Sequence, residues 1–141
     1  MSAPADDFAE IRDRLAIADL YARYALALDD VDLEMLAGCF APDVEFVPGA
    51  PGIAPRTGIK PNQDRLVERH REKAFRERHM TNQPVVRRLD GHRAEAACEY
   101  VIFQLDVGSP PKLVSMGRYE DVLEKQNGRW VFTRRRAFRD Q

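Results

Sequence analysis

The chain has 141 residues, is 44% hydrophobic and 32% charged, and carries a formal net charge of −1. This length supports a single domain with a sizeable core, and the balanced charge excludes a global basic field that would recruit nucleic acid or anionic lipid. No apolar run approaches a membrane span, the N-terminal MSAPADDFAE lacks the regions of a signal peptide, and the two cysteines, Cys39 and Cys98, make no disulfide framework, so a soluble cytoplasmic protein is expected.

Residues 1–6 are small and polar and are expected to be disordered ahead of one domain over 7–141. From Asp7, the series Phe8, Ile11, Leu15, Ala18, Ala22 and Ala25 follows helical spacing, and a second line runs through Ile17, Tyr21, Tyr24 and Leu28. So wide a stripe predicts a long, largely buried helix. Its end, LYARYALALDD (20–30), sets two phenols and two carboxylates beside a wall of Ala and Leu. That grouping is either capping chemistry or the polar end of a reactive cavity. Tyr24 and Asp29 stand about 140° apart on an ideal helix, so they converge only if the helix loosens near Asp29. Either Asp29 or Asp30 could be the inward acid.

Asp30 or Asp32 can cap a short second helix, DLEMLAGCF, which Gly38 and Pro42 close. VEFV (44–47) reads as a strand and PGAPGIAPRTG (48–58) as a flap-like loop. A charged third helix is predicted through roughly residues 61–77, with Glu72–Arg76 and Lys73–Glu77 as supporting pairs.

After Met80 the pattern is that of strands. Asp90-Gly91 and Asn127-Gly128 are hairpin turns, and four strands form a meander over QPVVRRL, HRAEAACEYVIFQLDV, PKLVSMGRYEDVLEKQ and RWVFTRRRAFR. Helices first and antiparallel sheet last predict an α+β fold, with a curved sheet wrapped around the long N-terminal helix and enclosing a cavity.

The turns also predict register. A two-residue Asp90-Gly91 turn places Leu89 opposite His92 and His79 opposite Ile102, with Tyr100 and Gln104 diagonal to it. The even positions Ala94, Ala96, Cys98, Tyr100 and Ile102 are small or apolar, so His79 is expected to face the interior with them. The Asn127-Gly128 turn places Glu120 opposite Arg135, Asp121 opposite Arg134 and Met116 opposite Arg139. Cross-strand acids therefore account for the Arg134–Arg136 run better than a nucleic-acid patch does.

Tyr24, Asp29, HMTNQP (79–84) and the two closing hairpins together resemble the nuclear-transport-factor-2-like (NTF2-like) superfamily, and within it the SnoaL-like group of polyketide cyclases, scytalone dehydratase and bile acid 7α-dehydratase. The resemblance covers about Asp7 to Arg139. It implies a cone-shaped single domain, a homodimer through the outer sheet face, a small hydrophobic substrate and no cofactor. Carried over by position, Tyr24 looks like the phenol that polarises a substrate carbonyl, Asp29 like the orienting carboxylate, and His79 like the general acid/base. Arg139 falls where the bile acid enzyme has a functional arginine.

The chain departs from those enzymes on its long strand. Ile102 stands where one has an aspartate, and Gln104 falls near the second histidine of another; neither side chain transfers a proton. Tyr100, Ile102, Gln104 and Asn82 are therefore candidates for binding only. Asn82 could instead bond a strand end, as alternation from His79 turns it to the opposite face. His70 and His92 are better explained by packing and surface placement, and three histidines without HxH or HExxH spacing give no metal site.

The expectation is a cofactor-independent lyase, isomerase or cyclase for a steroid- or polyketide-like ketone. The alternative is a non-catalytic binding or assembly subunit, as in ring-hydroxylating dioxygenase β-subunits.

Overall fold

In the computed structural model, which describes residues 4–73 and 75–140, the chain order begins α1 (Pro4–Asp30), α2 (Leu33–Gly38), β1 (Phe40–Val47), β2 (Arg56–Thr57) and α3 (Ile59–Glu72). It continues with β3 (Arg76–Thr81), β4 (Val85–Leu89), β5 (Arg93–Leu105), β6 (Lys112–Gln126) and β7 (Arg129–Arg139). The strands form one seven-stranded sheet in the order β2-β1-β7-β6-β5-β3, with β4 pairing β5 beyond β3. All pairs are antiparallel except β1–β7. The fold is α+β, as expected. Of the expected disordered stretch 1–6, residues 1–3 lie outside the described residues and α1 starts at Pro4.

The second apolar line of α1 is the core line. Ile17, Leu20, Tyr21, Tyr24 and Ala27 are buried against the sheet. The N-terminal part of the first line is not: Phe8, Ile11 and Leu15 are 67%, 55% and 67% exposed, and only Ala25 at its end is buried. A single sheet covers one face of a helix, and here no other element among the described residues covers Phe8, Ile11 and Leu15. At its far end α1 stays helical through Asp30 and stops at Val31, whose φ of 53° turns the chain left-handed. Asp32, not Asp30, then caps α2, accepting from Met35 N at 2.9 Å.

The third helix ends at Glu72, five residues short of the expected 77, and the chain re-enters the sheet at Arg76. The ladder to β5 outweighs the helix-favouring charge pairs there. Glu77 still meets Lys73, across the helix–strand junction, and also Arg69 at 2.9 Å. The loop 48–58 is not wholly irregular, because Arg56–Thr57 pairs with β1.

His79 does lie opposite Ile102, but not for the reason the turn suggested. Asp90 N donates to Arg93 O at 3.0 Å, so Gly91-His92 is the turn and Leu89 pairs with Ala94, not His92. A one-residue shift between Val86 and Arg88 takes back part of that offset, and the passage from β4 to β3 takes back the rest. At the other hairpin, Asn127 (φ 52°) and Gly128 (φ 75°) form the expected turn. An irregularity between Val122 and Leu123 then moves each later pair by one. Asp121 lies opposite Arg135, Glu120 opposite Arg136, and Arg139 opposite Gly117 instead of Met116.

The result is a closed base beneath a hollow. Arg135 is fully buried and grips buried Asp121 with two bonds of 2.8 Å, while the Tyr21 hydroxyl donates to the same carboxylate at 2.5 Å. The guanidinium is walled in by the rings of Tyr119 (3.9 Å), Phe132 (4.1 Å), Tyr24 (4.2 Å) and Tyr21 (5.1 Å). Those π faces are the environment of Arg135 Nη1, which has no hydrogen-bond partner among the described residues. Near the other end of α1, buried Asp13 takes a 2.9 Å bond from Trp130 Nε1 and a 2.7 Å ion pair from Lys125. Trp130 is thus a packing residue.

Candidate functional site

A cavity of about 390 Å³ opens above this base, between the C-terminal half of α1, α3, the 48–56 segment and the concave face of β3, β5, β6 and β7. The structure brings Tyr24, Asp29, His79, Tyr100, Ile102 and Arg139 to its wall. Strand alternation explains the β5 pair, because Ala94, Ala96, Cys98, Tyr100 and Ile102 are all buried on the inner face.

Asp29 and His79 are in direct contact. The Asp29 carboxylate accepts from His79 Nδ1 at 2.7 Å, and both its oxygens lie 3.0 Å from the His79 backbone N. Their side chains are only 8% and 7% exposed. One acid therefore holds both the strand and the ring. In the neutral imidazole, a carboxylate acceptor on Nδ1 selects the tautomer with the proton there and the lone pair on Nε2. Asp29 faces inward and Asp30 is exposed, which resolves the pair of acids that sequence left open.

Tyr24 and Asp29 share the cavity without any loosening of the helix. Five residues at about 1.5 Å each separate them by roughly 7.5 Å along the axis, and they meet different walls. Asp29 reaches β3, whereas Tyr24 packs edge-on against Phe40, Tyr119 and Phe132. Burial raises the Tyr24 phenol above its ordinary pKa despite the opposing charges of Arg135 and Arg56. It is held as a neutral donor.

Tyr100 stacks on Tyr119 with ring centroids 4.5 Å apart, and burial raises both phenols. The Tyr100 hydroxyl occupies the space over Gly117, where an added Cβ would lie 2.7 Å from it and 1.9 Å from Phe138 O. Arg139 is exposed at the mouth.

Two expected binding residues lie elsewhere. Asn82 is exposed and accepts from Glu99 N at 2.9 Å, because alternation from His79 turns it outward to tie β5 to the β3–β4 link. Gln104 donates to Asp106 at 2.7 Å and is absent from the cavity wall. Conversely, His70, given above to packing, is exposed and lines the cavity.

The sequence reading missed the buried Arg135–Asp121 pair and the cationic lining from 48–73. The first had a signal: Tyr119, Asp121 and Leu123 alternate inward, and an inward acid between apolar neighbours requires a buried cation. The second had none, since a basic amphipathic helix and a Pro/Gly loop are ordinary surface features.

The SnoaL-like domain family matches residues 9–136. A Mycobacterium tuberculosis protein of unknown function, Rv3472, is 28% identical over 99% of this chain and 77% of that one, with a TM-score of 0.84. A Novosphingobium aromaticivorans protein assigned as a scytalone dehydratase is 21% identical over 96% and 89% of the two chains, with a TM-score of 0.79. Another from the same organism, assigned as the β-subunit of an aromatic-ring-hydroxylating dioxygenase, is 23% identical over 94% and 92%, with a TM-score of 0.76. The last two likenesses are likenesses of fold, and the fold is NTF2-like. A comparison with curated proteins finds no match.

Proposed function

The chain belongs to the SnoaL-like family, and from that premise we propose that it is a cofactor-independent acid/base enzyme acting on an oxygenated hydrophobic small molecule. The observation that carries this reading is the Asp29-held imidazole of His79 at the wall of a closed-ended cavity. His79 Nε2 takes a proton from the carbon next to a ketone, and the C–H electron pair moves into the carbonyl to form an enolate. Tyr24, a neutral buried phenol, donates to the enolate oxygen, which is worth about 2–4 kcal/mol in a water-poor site. Asp29 stabilises the imidazolium that forms. Collapse of the enolate with expulsion of a β-hydroxyl, which takes the proton from the His79 imidazolium and leaves as water, gives dehydration. Return of the proton to another carbon gives isomerisation. Attack on a second carbonyl, whose alkoxide takes that proton, gives cyclisation. Tyr100 and Ile102 shape the apolar wall and Arg139 guards the mouth.

Free, buried Cys39 and Cys98, whose thiols burial pushes up to about 11 and about 12, support a reducing, cytoplasmic setting. Among the described residues no helix is long and apolar enough to cross a membrane. Exposed Met80, Met116 and Phe138 on the outer sheet face support a homodimer through that face.

The test is solvent exchange. Hydroxylated steroid- and polyketide-like ketones are incubated with the protein in D2O, and deuterium at the carbon next to the carbonyl is read by mass spectrometry. Wild type is expected to label at least one compound and His79→Gln none. A second reading, a non-catalytic binding or assembly subunit, draws on Ile102, which leaves His79 without a titratable partner across the ladder. It prevails if nothing is labelled and no ketone perturbs the His79 imidazole by NMR.

A further inference from the structure

The chain as a whole is close to neutral, yet its cavity is not. Arg56, Arg65, Arg69, Lys73, Arg76 and Arg139 line it against only two carboxylates, Asp29 and Glu77. Both acids are already engaged: Asp29 with His79, Glu77 with Arg69 and Lys73. Arg65 is met from the outer side of α3 by Glu68 at 3.3 Å and Glu72 at 3.7 Å. Arg76 and Arg139 are exposed and solvated.

Arg56 differs from all of these. It is half-buried and has no carboxylate within ion-pair distance among the described residues. Its position is nevertheless specified. Arg56 Nε donates to Asn62 Oδ1 at 3.0 Å, and Asn62, itself buried, is anchored by donating to Gly58 O at 2.8 Å. The guanidinium lies 4.7 Å from the centre of the Phe46 ring. With Nε spoken for, the two Nη groups remain as a planar pair of donors. Burial pushes the Arg56 pKa down, opposed in part by Tyr24 and helped by the charge of Arg65, so the fold holds a cation in a place that disfavours it. A bound anion would relieve that cost.

Resting on the reading of this cavity as the substrate site, we propose that the substrate carries a carboxylate, which Arg56 takes through its two Nη groups while the reacting carbon lies at His79. A guanidinium fork matches a carboxylate in two parallel bonds, a fit that an ammonium or an amide cannot reproduce. Arg56 and His79 line the same cavity, so one ligand can meet both.

The test uses 1-naphthylacetate and its neutral isostere 1-naphthylacetamide, titrated calorimetrically into the intact protein. Wild type is expected to bind the acid at least about tenfold tighter than the amide. Arg56→Gln is expected to bring the acid down to the amide's level while leaving amide binding within about twofold, and Arg56→Lys to keep part of the preference. Equal binding of the two probes by wild type overturns the proposal, as does no binding of either. It is also overturned if the preference persists in Arg56→Gln, or if Arg76→Gln at the mouth removes as much of it. His79→Gln is expected to keep the acid preference. A failure of the acid/base reading therefore shows up as lost exchange chemistry with the preference intact.

Discussion

Two of the molecule's carboxylates, Asp121 and Asp29, each grip a nitrogenous partner out of water, and they serve opposite ends. Asp121 is enclosed with Arg135 and Tyr21, and aromatic rings seal the cation on its remaining sides. Asp29 holds His79 by one ring nitrogen and leaves the other beside a cavity. The chemistry of the two pairs is similar, and the difference lies in what surrounds the far side of the partner. A sealed pair contributes architecture; a pair with one open face is available for proton transfer.

Substitutions should separate the two pairs cleanly. The largest expected effect is at the open pair: His79→Gln or Asp29→Asn lowers the rate of exchange by about 10²–10⁴-fold. The urea midpoint moves far less than in any base variant. At the sealed pair, Arg135→Met leaves Asp121 buried without its cation and should cost about 3–5 kcal/mol of unfolding free energy. Adding Asp121→Leu should recover much of that loss, and equal destabilisation in the single and double variants would refute an uncompensated charge as the cause.

Between the two pairs, Gly117→Ala forces a methyl against Phe138 O and the Tyr100 hydroxyl. It should cost about 1–3 kcal/mol and weaken the near-ultraviolet circular dichroism of the Tyr100–Tyr119 stack. The smallest effect belongs to Glu77, partnered at the cavity edge. Burial pushes its carboxyl up, but the Lys73 bond and the Arg69 and Lys73 charges outweigh burial and hold it below the usual range. A depressed carboxylate stabilises the fold above its unfolded pKa of about 4.3 and loses that contribution as pH falls through the folded value. Glu77→Gln should therefore cost about 1 kcal/mol at pH 7, and the gap from wild type should close in acid.

Much of this was legible in the chain because local rules and global fold agreed. The alternating face of β5, the Asn127-Gly128 turn and the cap at Asp32 follow from period, turn chemistry and side-chain length. The pairing of His79 with Ile102 was legible only in part: the predicted contact is present, yet the predicted turn is not, and two one-residue slips together take back the offset that the shifted turn introduces. Bulges leave no compositional mark, and the one near Leu123 carried Arg135 from a supposed surface ladder into the core. The exposure of Phe8, Ile11 and Leu15 was hidden for another reason. Helical spacing shows which residues share a face, but not whether a second layer exists to cover it. The cavity charge was the least legible, since Arg56 and α3 meet only after the 48–58 segment has folded back along β1.

The two slips carry a consequence for how this scaffold accepts change. β3 and β4 follow one another end to end along the same edge of β5, but their ladders are out of step, so the 90–93 turn does not dictate where His79 sits. Residues inserted into that turn can be absorbed by β4 sliding on β5 while β3, tied down by Asp29, stays in place. An insertion within β5 has no such slack, because the same strand pairs along its length with β6. The 90–93 hairpin is thus a position at which a grafted segment is expected to be tolerated, and the ladder that carries His79 is insulated from the graft by a joint built of two irregularities.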